Sequence, residues 1–390
     1  MTQRQRYLEF IKGKPCDLPL WGDWVGPYSE WLKHGLPPAP EVYRNAAGIL
    51  DDRAYQRDYF GYEGIYSCFW GTGRLPVNVG LCPGFPYEVI EETPEYRIIR
   101  DGDGVLCKML TIPGHAEGAA QYLGNSLHGA VDWESFKRDH LDPNHPAHYP
   151  PDAEWNRLVE ACKDRDFVVT IDGGSFYGYL RNWLSVEGIS YLMHDEPEWM
   201  EEAANYLADY FIAILTRAVT DIPDIDCALF WEDMCFKNGP LCSPAMFKRF
   251  FLKPYQKVTT FLRDHGVKSF WVDCDGNIEQ LIELFIEGGV NGFYPLEVAA
   301  GMDAMALKQQ YGDRILLWGG VDKRALLDGK EAIDAELARV LPAVQYGGFI
   351  PLIDHGVLGN TRLEDFVYYD KRRKELLGLK AIPLKGERIL

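Results

Sequence analysis

The chain has 390 residues, 47% of them hydrophobic, with 40 Lys and Arg against 58 Asp and Glu and a formal net charge of -18. That length buries a large core and allows two or three domains or one large α/β barrel with additions. The acidic balance repels phosphate backbones and anionic membranes, so nucleic acid is excluded as an expected partner.

In chain order, Met1 to Phe10 reads as an amphipathic helix start that lacks the apolar core of a signal peptide. Leu18 to Trp21 is the first strand expected. Tyr87 to Glu92 and Tyr96 to Arg100, followed by Asp101-Gly102-Asp103-Gly104 and Val105 to Thr111, carry a hairpin signal, so residues 85–112 are expected as a β-hairpin insertion. Segment 113–160, rich in His, Pro, Gly and Asp, is expected as irregular connection over the barrel mouth. From about residue 167, short apolar runs alternate with helical patterns. The strands expected are Phe167 to Thr170, Cys227 to Trp231, Ser269 to Val272, Gly292 to Pro295, Ile315 to Trp318 and Gly348 to Ile353. Helices are expected near 196–220, 243–265, 277–288, 302–311, 330–344 and 361–377, with Ser243-Pro244 the clearest helix start. Repeated βα units predict an α/β fold, a (β/α)8 TIM barrel in a single domain over 1–390, with a doubly wound open sheet as the alternative. The stretch from Tyr206 to Val219 is interrupted by Asp209 and Arg217 and reads as a buried helix, not a membrane span. Nine cysteines with no Cys-x-x-Cys pair argue against a disulfide framework and for a reducing cytoplasm.

A parallel barrel places its active site at the C-terminal ends of its strands. The polar residues there are Asp23 and Trp24, Asp172 with Gly173 and Gly174, Glu232 and Asp233, Asp273 and Asp275, Glu297, Asp322, and Asp354 with His355. In Asp273-Cys274-Asp275-Gly276-Asn277 the alternation of a strand puts both carboxylates on one side and Cys274 on the other. Like charges so close raise one pKa or require a cation, although Asp275 or Asn277 also suits a helix cap. His355 is the one histidine directly following a strand, which makes it the natural general acid, base or metal ligand. With Glu232, Asp273 and Asp275 it offers an oxygen and nitrogen donor set suited to zinc or a harder divalent ion. Trp24, Tyr177 and Trp231 are the aromatic candidates for a flat apolar substrate pocket, with Asp23 beside them. No nucleophile elbow, Walker motif or dinucleotide fingerprint occurs.

Several stretches together resemble the uroporphyrinogen decarboxylase superfamily, which also contains corrinoid-dependent methyltransferases. They are Lys14-Pro15-Cys16-Asp17-Leu18-Pro19, Lys237-Asn238-Gly239-Pro240-Leu241-Cys242-Ser243-Pro244 with Phe247 and Pro254-Tyr255, and Asp273 to Asn277. Gly288 to Gly292, Pro295-Leu296-Glu297, Gly319 to Lys323 and Gly347 to Pro351 extend the match almost end to end. The resemblance implies a (β/α)8 barrel with its cleft at the strand ends. Decarboxylases of the family grip substrate propionates with an Arg-Gln-x-Gly-Arg stretch, whereas here Trp21-Gly22-Asp23-Trp24 occupies that neighbourhood. Aromatics and an acid in place of cations should abolish recognition of a polycarboxylate porphyrinogen. The family's thiol methyltransferases bind zinc through His-x-Cys before Gly-Asn and through a later Cys. Aligned on Gly276-Asn277, Asp273 and Asp275 fall on the first two ligand positions, and His355 falls at or beside the third. A soft site for a thiol acceptor is therefore lost.

What the resemblance still implies is methyl transfer from a small O-methylated donor, expected as a methoxylated aromatic from the aromatic strand ends, to the Co(I) of a corrinoid protein. The expected cofactor is cobalamin on that partner, with zinc allowed at Asp273, Asp275, His355 and Glu232, and with a homodimer allowed. His355, Asp273 or Asp275 would supply a proton at the departing oxygen, with Glu232 tuning them or contacting the donor. Two alternatives stay open. One is a decarboxylase of a non-porphyrin acid, for which the sequence locates no cation, and the other is a non-catalytic barrel that binds a corrinoid or tetrapyrrole.

Overall fold

Apolar runs bounded by polar turns become parallel strands when helices cover both of their faces. The computed structural model describes residues 1–23, 26–44, 48–65, 73–111 and 120–383. Thr170–Gly174, Cys227–Trp231, Ser269–Asp273, Gly292–Tyr294, Leu316–Val321 and Phe349–Ile353 form one six-stranded sheet in chain order, parallel throughout. The helices between them include Tyr177–Asp195, Pro197–Asp221, Leu252–Asp264, Ala304–Tyr311 and Lys330–Val340, and Leu363–Leu377 follows the last strand. The strands lie close to their expected positions, the largest displacement being Thr170–Gly174 against an expected Phe167 to Thr170. The 19-residue helix Tyr177–Asp195 has no counterpart among the sequence expectations.

The parallel arrangement continues beyond this sheet. Arg74 makes a parallel bridge to Thr170, and Trp21–Gly22 pairs in parallel with Gly64–Ile65. The first strand is stitched to the last by side chains: Asp23 accepts from the Ile353 N–H, and buried Arg373 donates to the carbonyls of Trp21 and Pro351. Inside, Trp21, Trp271, Tyr294 and Trp318 form an aromatic core that Tyr7 and Phe10 of the helix Gln3–Phe10 complete. Tyr7 shares a 2.7 Å hydrogen bond with Ser269, and the Trp271 indole donates to the Tyr7 oxygen at 3.0 Å. Each such side chain contributes about 1.5–3 kcal/mol by leaving water.

The hairpin insertion is larger than expected. Glu88–Glu92, Tyr96–Arg100, Leu106–Leu110 and Ala120–Gly124 form a four-stranded antiparallel sheet in chain order. Its second turn has the chemistry the sequence announces, with Asp101 accepting from the N–H groups of Asp103 and Val105. Residues 113–160 are not simply irregular: besides Ala120–Gly124 they contain the helices Ala130–His140 and Asp152–Cys162. Both helices use buried Trp and Phe or Leu side chains as anchors, a 3.6-residue pattern masked by the surrounding Pro and His residues. Among the described residues no helix is long and apolar enough to cross a membrane.

Candidate active site

Strand parity decides which side chains reach the strand ends. Cys227 and Leu229 of one strand and Ser269 and Trp271 of the next point inward, so Trp231 and Asp273 head the same inward rows. The two strands run in register, Trp231 beside Asp273, and Asp273 beside Tyr294 on its other flank. Two residues further on come Asp233 and Asp275. One carboxylate oxygen from each of Asp233, Asp273 and Asp275 lies within 4.8 Å of the others, and all three side chains are half-buried. His355, just past the last strand, completes the group with Nε2 at 3.3 Å from Asp275 Oδ2.

Three carboxylates this close repel one another, and burial adds to the cost of charging them. Burial first, and then Asp233 and Asp275, push the Asp273 carboxyl well above its ordinary value. Burial and Asp275 likewise push Asp233 up, with Arg181 opposing. The hydrogen bond to Asp275 raises His355 more than burial lowers it. Asp233, Asp273 and His355 therefore hold protons to higher pH than the same side chains would apart. Its donor set of oxygens and one imidazole also fits a divalent cation, zinc included, which would relieve the same repulsion. Cys274, between the two aspartates in sequence, is buried on the opposite side, and burial pushes its thiol well up, so no thiolate joins the set.

Arg181 forms the adjacent wall. Its Nη1 donates to the Asp233 carbonyl at 3.1 Å, its Nη2 lies 3.9 Å from the Asp233 carboxylate, and its guanidinium sits 5.2 Å above the Trp231 ring. Asp233 itself adopts φ 42°, a left-handed conformation that costs about 1–3 kcal/mol and recurs at functional sites. Asn277 caps the turn that follows by accepting from the Glu279 N–H at 3.1 Å, which leaves Asp275 free to face His355.

Not every expected site residue is here. Asp273, Asp275 and His355 come together, and Trp231 stands beside them. Glu232 does not. One residue out of phase, it points outward and is fully buried, accepting from the Ser175 and Tyr255 hydroxyls and the N–H groups of Phe176 and Gly178. Tyr177 is buried against Phe251 and not a pocket wall, because the unexpected helix begins there and turns it into the core. Asp23 is buried in the seam between first and last strands, bonded to Ile353 and Tyr369, and so is withdrawn from substrate. Trp24 lies outside the described residues. Asp354 accepts from the Val298 and Lys323 N–H groups and anchors the loops around His355. Asp233 and Arg181 are the residues that sequence reasoning misses as a pair. Parity counted from Trp231 points to Asp233, whereas nothing in sequence points to Arg181.

Residues 184–375 match the family model described as Uroporphyrinogen decarboxylase (URO-D). Among solved structures, a methyltransferase from Methanosarcina mazei superposes with a TM-score of 0.59 at 18% identity, over 96% of this chain and 99% of that one. At such identity the likeness is one of fold. A B12-independent methionine synthase from Shewanella sp. W3-18-1, solved in complex with selenomethionine, reaches a TM-score of 0.39 at 12% identity over 93% of this chain and 100% of that one, too distant to argue from. No curated protein matches the sequence. The URO-D fold is a TIM barrel, and the parallel βα succession of this chain is of that class. The matched stretch includes Asp233, Asp273, Asp275 and His355.

Proposed function

We propose that this protein is a methyltransferase that takes the methyl group of a small methoxylated aromatic and passes it to the Co(I) of a corrinoid protein meeting the strand ends. The observation that carries this reading is the convergence of Asp233, Asp273, Asp275 and His355 on the open side of the parallel strands. When an aryl methyl ether loses its methyl group, the electron pair of the broken bond stays on oxygen, which must receive a proton or meet a Lewis acid. Asp273, whose carboxyl is pushed well up by burial and by two neighbouring carboxylates, is the proton donor in this reading. His355, held by Asp275, restores it from solvent, since both side chains remain partly exposed. A divalent cation held by the three aspartates and His355 would supply Lewis-acid stabilisation at the same oxygen in place of the proton. Trp231, fixed under Arg181, offers an aromatic wall for the donor. All eight cysteines among the described residues are free, as a reducing cytoplasm allows.

The test is an anaerobic absorbance assay of cob(I)alamin with the protein and a panel of methoxylated aromatics, methylamines and methanol. Consumption of cob(I)alamin with a methoxylated aromatic alone, with release of the phenol, is the expected result. Absence of consumption with every donor, also when a corrinoid protein replaces free cobalamin, would overturn it. A decarboxylase is the second reading, favoured by Arg181, a cation beside the cluster that can hold a carboxylate. It predicts release of CO2 without cobalamin.

A further inference from the structure

A cavity of about 90 Å³ opens beside the acidic cluster, with Val105, Tyr122, Asn125, Arg181, Asn182 and Ser185 in its wall. Among the described residues its wall carries one positive side chain and no negative one. Arg181 belongs to both places, lining the cavity while it bonds the main chain of Asp233. Two of its five N–H groups make hydrogen bonds among the described residues, one to the Asp233 carbonyl and one to Asn182 Oδ1 at 3.3 Å, and its Nη2 also lies 3.9 Å from the Asp233 carboxylate. The Trp231 ring fixes the guanidinium plane, so the remaining donors have a set direction. Ser185 Oγ accepts from the Gly188 N–H, which leaves its own O–H to donate, and the Asn125 amide has no hydrogen-bond partner among the described residues. Ser185, four residues after Arg181, breaks its helix at φ 66°, and Asp233, whose carbonyl Arg181 bonds, has φ 42°.

We infer that this cavity is a carboxylate subsite and that Arg181 selects donors bearing a carboxylate remote from the methoxyl group. This rests on the methyl-transfer reading for the identity of the donor, but the subsite itself does not. The cavity falls short of the roughly 150 Å³ of an apolar cavity that takes benzene, so it accepts a carboxylate and its first carbons and not a whole aromatic ring. The ring therefore lies between cavity and acidic cluster, with its methoxyl oxygen toward Asp273. In a chain of net charge -18 the long-range field disfavours an anionic donor, so an oriented guanidinium in the cavity weighs heavily in its binding. The same charge turns away methylammonium donors that the aspartates alone would attract.

Calorimetric titration of the full-length protein, without cobalamin, tests this with 4-methoxybenzoate, 4-hydroxybenzoate and methoxybenzene. Both benzoates are expected to bind at least tenfold more tightly than methoxybenzene. Arg181→Ala should bring that preference close to one, and Arg181→Lys should restore part of it. Asn125→Asp, a near-isosteric change that leaves Arg181 in place, should weaken both benzoates at least tenfold and guards against misfolding of the arginine variants. Benzoate binding that is absent in the wild type, or unchanged in Arg181→Ala and Asn125→Asp, overturns the inference. Benzoate binding through Arg181 with no consumption of cob(I)alamin would leave the subsite standing and remove the methyl-transfer reading. Turnover of methoxybenzene as efficient as that of 4-methoxybenzoate would do the reverse.

Discussion

Glu232 and Asp233 are adjacent carboxylates with opposite roles, and one step of strand parity separates them. Glu232 turns outward and satisfies four donors around the start of the helix Tyr177–Asp195, so Glu232→Ala should cost about 3 kcal/mol by leaving buried donors unpaired. Thermal denaturation checks this, and a melting temperature equal to the wild type would contradict the assignment. Asp233 turns inward to Asp273 and Asp275. His355→Ala is expected to lower turnover by about 10²–10⁴-fold while donor affinity, read from calorimetry, stays near its wild-type value. A rate that needs protonated His355 is fully present below its folded pKa and is lost as pH rises through it. Because the hydrogen bond to Asp275 raises that pKa above 6.5, the alkaline limb should lie above pH 6.5 and should move to lower pH in Asp275→Asn. A limb at the same pH in both proteins would remove the pair from the proton path.

At the scale of elements, the helix Tyr177–Asp195 brings Arg181 to the site, and its origin explains why it is hard to read. Its first turn contains Gly178, its middle contains Gly188, and Ser185 breaks it, so local propensity is poor throughout. Its leading N–H groups are satisfied by Glu232, a side chain from a strand more than 50 residues away, instead of by a local cap. Gly276 plays a comparable part in the loop carrying Asp275. It adopts φ 80°, and a Cβ there would lie 2.7 Å from the Cys235 carbonyl oxygen. Gly276→Ala should therefore destabilise the protein by more than about 1 kcal/mol and spread the aspartates apart, which would appear as a lower melting temperature together with weaker divalent-cation binding. The helix Pro244–Phe250, by contrast, carries its own signal, since Ser243 accepts from the Met246 N–H and Pro244 opens the first turn.

For the whole molecule, the seam between first and last parallel strands couples stability to pH. Burial pushes Asp23 from 3.8 to about 6 against the opposing effects of Arg373 and the Ile353 N–H, and its Oδ2 has no hydrogen-bond partner among the described residues. The folded protein thus keeps a proton that the unfolded chain loses between those values. Asp23's contribution to stability is full below about pH 4 and falls by about 3 kcal/mol as pH rises to 6 and beyond. Asp23→Asn keeps an acceptor for Ile353 and should flatten that decline, as denaturant titrations at several pH values would show; an unchanged pH slope would place the proton elsewhere.

The same seam marks the limit of what a linear reading reaches. Apolar runs and helical periods lie within single segments, so Cys227 to Trp231, Ser269 to Asp273 and the βα succession are legible one segment at a time. The pairing of Asp273 with Asp275 is legible for the same reason, because both sit on one strand extension, and His355 is legible from its place after a strand. The withdrawal of Glu232, Tyr177 and Asp23 into the interior, and the arrival of Arg181 beside Asp233, depend on how segments tens to hundreds of residues apart stack and align. Those alignments are set by burial of large side chains from many elements at once, and such burial leaves no periodic trace along any one stretch of chain.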